Sequence, residues 1–271
     1  MQRFFISFGL ILLTTFNSQL LFAKEAPPNW PDGKQAALVL SYDDALESHL
    51  NHVLPALDAA GLRATFYLTI ESPFFLRHLP RWKAAAEAGH ELGNHSLIHP
   101  CLGQSVFPDR DWVSESGDLT QYSVERVVRE LRLSNEILRS VDGYDHRTFA
   151  FPCGDTQTKD GDFAEAIQPL FLAARYGGDG FNDLTTRRYK LPSLAAEDLS
   201  GEQLIAYVKQ VQNARGFGSI TFHGVGGDYL SVSNEAHQEL LDYLKTQEHI
   251  WVDTLRNIAE HLYGDTKSET N

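Results

Sequence analysis

Only two cysteines, Cys101 and Cys153, and a single methionine occur in 271 residues, so no disulfide framework or cysteine-rich metal module organises this chain. Cations are also scarce. Against 36 Asp+Glu there are 23 Lys+Arg, a formal charge of −13, and the basic face of a dedicated nucleic-acid binder is missing. There is no G-x-S-x-G elbow and no P-loop, which removes the turns that serine hydrolases and nucleotide-binding proteins depend on. The 22% charged and 42% hydrophobic residues make an ordinary globular mixture, neither disordered nor collagen-like.

One long apolar stretch is present, at the start. Residues 1–23 place Arg3 ahead of the run Phe4–Phe16, which Asn17-Ser18-Gln19 interrupt before Ala23. That is short of the about 18–20 apolar residues of a membrane span and reads as a secretory signal peptide; an uncleaved anchor is the other reading. Ala23 suits the last position before a cut, although Leu21 is large where a small residue is preferred. Cleavage would leave 24–271 as one domain, periplasmic or secreted, with no stable membrane insertion.

The rest alternates between strand and helix patterns. Ala36–Tyr42 is an apolar run ending in Asp43-Asp44. Leu46, Leu50, Val53, Leu54 and Leu57 follow on one helical face, closed by Gly61. Further strands are expected at Ala64–Ile70, His90–Asn94, Thr148–Phe151, Leu172–Tyr176, Gly218–Phe222 and Ile250–Val252. Helices are expected at Trp82–Ala88, Ser123–Ser140, Asp162–Leu172, Gln203–Ala214, Glu235–Thr246 and Thr254–Leu262. This is the pattern of βα units around a parallel sheet. Six or seven units without a linker favour a (β/α) barrel, with an open doubly wound sheet as the alternative. Cys101–Gln121 is too long for a plain connection.

In such a barrel the chemistry gathers where strands end. Four polar clusters fall there: Asp43-Asp44, His95-Ser96-Leu97-Ile98-His99, Pro152-Cys153-Gly154-Asp155 and His223-Gly224. His95 and His99, four apart, would share a face in one helical turn and could share a metal. Asp44 with them makes a two-His, one-carboxylate set, suited to a zinc-type hydrolytic site or a non-haem iron oxygenase, and the βα alternation disfavours the iron reading. Asp44 as a helix N-cap, and His223 as an ordinary core histidine, are the plainer alternatives. Asp43 and His223 would supply the base and the acid that a metal hydrolase needs.

Ser41-Tyr42-Asp43-Asp44 and His95-Ser96-Leu97-Ile98-His99, with Phe151-Pro152-Cys153-Gly154 and Thr221-Phe222-His223 in order after them, resemble the motifs of the polysaccharide deacetylases. These are the NodB-homology enzymes of carbohydrate esterase family 4, and the likeness spans about residues 36–260. The resemblance implies a distorted (β/α) barrel that removes acetyl groups from sugars, usually N-acetylglucosamine. It implies that Asp44, His95 and His99 hold a divalent ion, zinc first, that Asp43 is the general base and that His223 protonates the leaving group. The backbone N–H of Cys153 would stabilise the oxyanion. An O-acetyl esterase on xylan or a similar glycan, and a sugar-binding relic without chemistry, are the competing functions.

The sequence departs from the family pattern in three places. Ala150 stands where an arginine commonly tunes the base, leaving Arg147, Arg175 or Arg188 to substitute. Tyr189–Ser193 lacks the usual Asp and Trp, and Cys153 replaces an aromatic residue. Cys101 and Cys153 would both crowd the barrel mouth and pair there, with two buried free thiols as the alternative. Tyr229, in the glycine-rich loop after His223, is a candidate sugar-stacking ring, as are Phe107 and Trp112, whereas Trp82 and Trp251 sit in packing patterns.

Overall fold

A computed structural model describes residues 28–178 and 188–264; the expected signal peptide at 1–23 lies outside the described residues. In chain order the strands are β1 (Ala36–Asp43), β2 (Thr65–Leu68), β3 (Glu91–Asn94), β4 (Phe149–Ala150), a small hairpin of β5 (Gln157–Thr158) and β6 (Gly161–Asp162), β7 (Ala174–Arg175), β8 (Leu194–Ala195), β9 (Phe217–Phe222) and β10 (Ile250–Val252). All but the hairpin form one sheet in the order β7-β4-β3-β2-β1-β9-β8, and every pairing along it is parallel. β10 pairs with the start of β1 and β2 with its end, while β9 runs along its length. Every residue of β1 is buried, as expected for a parallel strand covered on both faces. Arg175 in β7 bridges Leu191, just ahead of β8, so the sheet curls its two ends towards each other. The result is the distorted barrel rather than the open sheet.

The helices are α1 (Leu54–Ala60), α2 (Pro73–Arg77), α3 (Leu79–Glu87), α4 (Val124–Asp142), α5 (Gly201–Ala214), α6 (Asn234–Lys245) and α7 (Leu255–Tyr263). Local chemistry explains their limits. Ser123 accepts from the Arg126 N–H to open α4, and Gly143 closes it at φ 77°, the left-handed turn that costs glycine least. Ser200 and Gln203 form a reciprocal capping box on α5. Buried Leu38, Leu40, Tyr42, Phe66, Trp82, Phe222 and Leu240 belong to the main core, whereas Ala37, Val39 and Phe217 pack with Leu255 and Ile258 of α7. Trp251 packs edge-on against Trp30.

Two local expectations need correction. Asp162–Leu172 is not a helix: β6 leads through turns into a 3₁₀ turn at Gln168–Leu170. Asp162 Oδ1 accepts the Ala164 N–H, an Asx turn that competes with helical bonding, and Pro169 removes a donor soon after. The helix after Asp44 is also irregular. It begins as a π-helix, His49–Val53, before α1 continues, and Pro55 lacks the N–H that an α-helical bond to Asn51 would need.

The start of the strands is a structural end. Glu91 is fully buried there and accepts from Thr65 Oγ1, the Thr148 N–H and the Arg256 N–H, tying α7 to three strands.

Against the main core, the Tyr42 hydroxyl lies 2.7 Å from His237 Nε2. Burial, with His49 nearby, holds His237 down to about 4. The unfolded chain takes up this proton near pH 6.5, well before the native state does. The stability this neutral ring contributes is complete above pH 6.5 and is lost as pH falls towards 4. Urea unfolding at pH 5 should show about 2 kcal/mol less stability than at pH 7 from this group. His237→Gln, which cannot charge, should lose less over the same interval; an equal loss would remove His237 as the cause.

Candidate metal centre

At the opposite end, β1 stops at Asp43 and the chain turns through Asp44 (φ 78°) and Ala45 (φ 56°). This left-handed turn overcomes the alternation of a strand, so adjacent carboxylates reach one site. Asp44 faces imidazoles instead of capping the helix after it. Its Oδ1 lies 3.4 Å from His95 Nε2 and 3.4 Å from His99 Nε2; its Oδ2 lies 3.7 Å from His223 Nε2 and accepts the Tyr229 hydroxyl at 2.7 Å.

His95 and His99 are brought together, though not by the expected helical turn. Ser96 (φ 73°) and His99 (φ 55°) are left-handed, which no helix allows. Asn94 Oδ1 accepts the Ser96 N–H and Ser96 Oγ accepts the His99 N–H, at 2.7 and 2.9 Å. This side-chain-bonded loop sets the two rings 4.9 Å apart, edge to face. His95 Nδ1 lies 2.8 Å from the Ala150 carbonyl. A carbonyl can only accept, so Nδ1 donates to it and Nε2 is the ring nitrogen left facing Asp44.

These residues fit a divalent cation. One carboxylate oxygen and two imidazole nitrogens converge within 4.8 Å of one another. The Asp44 Oδ1 between them is buried without a hydrogen-bond partner, a costly state for an anionic oxygen unless a positive charge compensates it. Burial and then His95 hold His99 down to about 4, so its ring stays neutral, the form that can ligate. Burial opposes the charge on Asp44, yet His95, His99 and His223 together hold its carboxyl well below the usual range.

Asp43 answers the question of the missing arginine. Its Oδ2 is paired with Arg175 Nη2 from β7, both groups buried. Arg147 instead pairs with Asp142, and Arg188 bonds the Leu172 carbonyl. Asp43 Oδ1 is buried without a hydrogen-bond partner.

Cys101 and Cys153 form a disulfide spanning 52 residues. Closing a loop of that length constrains the unfolded chain by about 4 kcal/mol in the chain-entropy account. It also ties the segment after His99 to the left-handed turn at Cys153, φ 56°. Arg110 pairs with Asp155 and lies 4.2 Å over the Phe107 ring, while Trp112 stays exposed on the same long loop. In the segment lacking the family's Asp and Trp, Ser193 Oγ bonds Ser219 and Thr221, a cross-link within the sheet.

One contributor had no signal in the sequence. His49, in the π-helix, accepts the Leu46 N–H at Nδ1 and therefore donates from Nε2 to the His223 carbonyl at 2.8 Å. It anchors the backbone of His223 across 174 positions.

Comparisons with known proteins bear on the fold and the family. Among solved structures, a protein from Mycobacterium smegmatis described as a polysaccharide deacetylase superposes with a TM-score of 0.63 at 16% identity, covering 91% of this chain and 96% of that one. A family 4 acetyl xylan esterase from Clostridium thermocellum, in complex with a cobalt ion, gives 0.53 at 19% identity, covering 84% and 92%. At these identities the likeness establishes the fold. YlxY of Bacillus subtilis (strain 168), an uncharacterised protein, is 27% identical over 124 residues, 46% of this chain and a third of the relative's length. The family profile of the polysaccharide deacetylases matches residues 31–167, just over half of the chain, and on that match the protein belongs to the polysaccharide deacetylase family.

Proposed function

We propose that this protein is an exported, metal-dependent hydrolase that removes acetyl groups from acetylated carbohydrate, with N-acetylglucosamine-containing poly- or oligosaccharide as its substrate. The observation that carries the reading is the unpartnered Asp44 Oδ1 between the Nε2 atoms of His95 and His99. Asp44, His95 and His99 would hold the ion, zinc first. At such a site a divalent ion supplies polarisation of the acetyl carbonyl and a more acidic water.

The chain's own groups supply the rest. Asp43 Oδ1 takes the proton of the attacking water, while Arg175 on Oδ2 holds the carboxylate in its orientation. His223 Nε2 gives a proton to the leaving nitrogen, its backbone steadied by His49. Base and acid are each worth roughly 10²–10⁴-fold. The Cys153 N–H, in the loop held by the disulfide, serves the developing oxyanion, and a fixed donor there adds about 10²–10³-fold. Export is supported by the pattern of residues 1–23 and by the disulfide, which persists in oxidising compartments.

Acetate release from N-acetylglucosamine oligomers and from acetylated xylan tests the reading. The expected result is release from the oligomers that disappears in chelator-stripped protein and returns with zinc. Release from xylan alone would make the protein an O-acetyl esterase. No release from either, with glycan binding retained, would make it a sugar-binding relic.

A further inference from the structure

We propose that Tyr229 is a positioning residue for the metal centre: its hydroxyl holds Asp44 Oδ2, so that Oδ1 alone is offered to the cation. The inference rests on the metal reading of Asp44, His95 and His99. The two oxygens of Asp44 have different surroundings. Oδ1 has two imidazoles at 3.4 Å and no hydrogen bond, while Oδ2 accepts the Tyr229 hydroxyl at 2.7 Å. Without that donor the carboxylate is free to rotate about its own bond and present either oxygen or both.

The loop that carries Tyr229 is built to hold it. The Gly224 N–H donates to the Tyr229 carbonyl at 3.0 Å, the Val232 N–H to Gly224 at 3.1 Å, and the Gly226 N–H to Val232 at 2.9 Å. A Cβ on Gly224 would stand 2.0 Å from the Gly227 carbonyl oxygen, so only glycine fits this close approach. Asp228 Oδ2 accepts the Ser48 N–H, and Ser48 Oγ accepts the Val225 N–H. The loop is thus latched to the segment that follows Asp44, and tyrosine and carboxylate keep a common frame. The ring itself is 51% exposed, its centroid 6.0 Å from that of His223, so it is not a core side chain.

Tyr229→Phe removes the hydroxyl and keeps the ring. Zinc affinity is measured by competition with a chromophoric chelator, alongside the melting temperature of the stripped protein and kcat and KM on the preferred acetylated substrate. The expected result is a loss of about 10–100-fold in zinc affinity, as for other groups that orient a ligand, with the stripped melting temperature and KM unchanged. Wild-type zinc affinity in Tyr229→Phe, with a raised KM in Tyr229→Ala, would overturn the proposal and make the ring a sugar platform. Wild-type protein that takes up no zinc would fail the metal reading before any variant is compared.

Discussion

Asp44→Ala protein should bind zinc more than about 100-fold more weakly than wild type and release no acetate. Groups that merely orient a ligand cost 10–100-fold when removed, and Asp44 is the only anion in its donor set, so its loss should exceed that range. The melting temperature separates this from misfolding. Ligand at 100 times its dissociation constant stabilises a native state by about 2.7 kcal/mol, and wild type should show the corresponding rise when zinc is added. The variant should not. Its stripped form should melt within a few degrees of stripped wild type, because truncation breaks the Tyr229 hydroxyl bond to Oδ2 but also removes the buried, unpartnered Oδ1. A full zinc-dependent rise in Asp44→Ala would take the ion away from this carboxylate.

His223→Ala should behave in the opposite way, keeping zinc and losing turnover. His223 Nε2 approaches Asp44 Oδ2, whereas Oδ1 is the oxygen shared with His95 and His99, so its removal leaves the three converging donors intact. Loss of a general acid costs roughly 10²–10⁴-fold in kcat. The size of the loss should depend on the leaving group. An amine cannot leave unprotonated, but a phenolate can, so an aryl acetate should suffer much less than an N-acetylated sugar. The buried His49 bond to the His223 carbonyl is also independent of the ring that the variant removes. Loss of zinc from His223→Ala, or equal losses on both substrates, would assign His223 to the ion instead of the acid.

Much of the architecture was legible because the signals are local. α4 repeats Val127, Leu131 and Leu138 along one buried face between Ser123 and Gly143, and both its cap and its stop operate within a turn of the residues that specify them. The stretch before Pro169 misled for the same reason: its apolar spacing is helical, but an Asx turn and a proline decide the backbone over fewer than ten residues. The His95–His99 loop shows both sides. The spacing foretold that the rings would meet, while the left-handed Ser96 and His99 that bring them together left no trace in spacing.

The sequence alone determined most of the alternation of strands and helices, though not α2, the β5–β6 hairpin or β8, together with the placement of polar residues at strand ends and the motif pairs Asp43-Asp44 and His95…His99, since each depends on neighbours within a few positions. Only the tertiary structure decided that Arg175 and not Arg147 or Arg188 meets Asp43, 132 positions away, that His49 steadies His223, and that the Tyr229 hydroxyl points at Asp44. Those choices follow from how a curled parallel sheet brings the ends of distant strands to one rim. Hydrophobic burial drives that closure as a whole, and no single stretch of chain encodes which side chains it brings face to face.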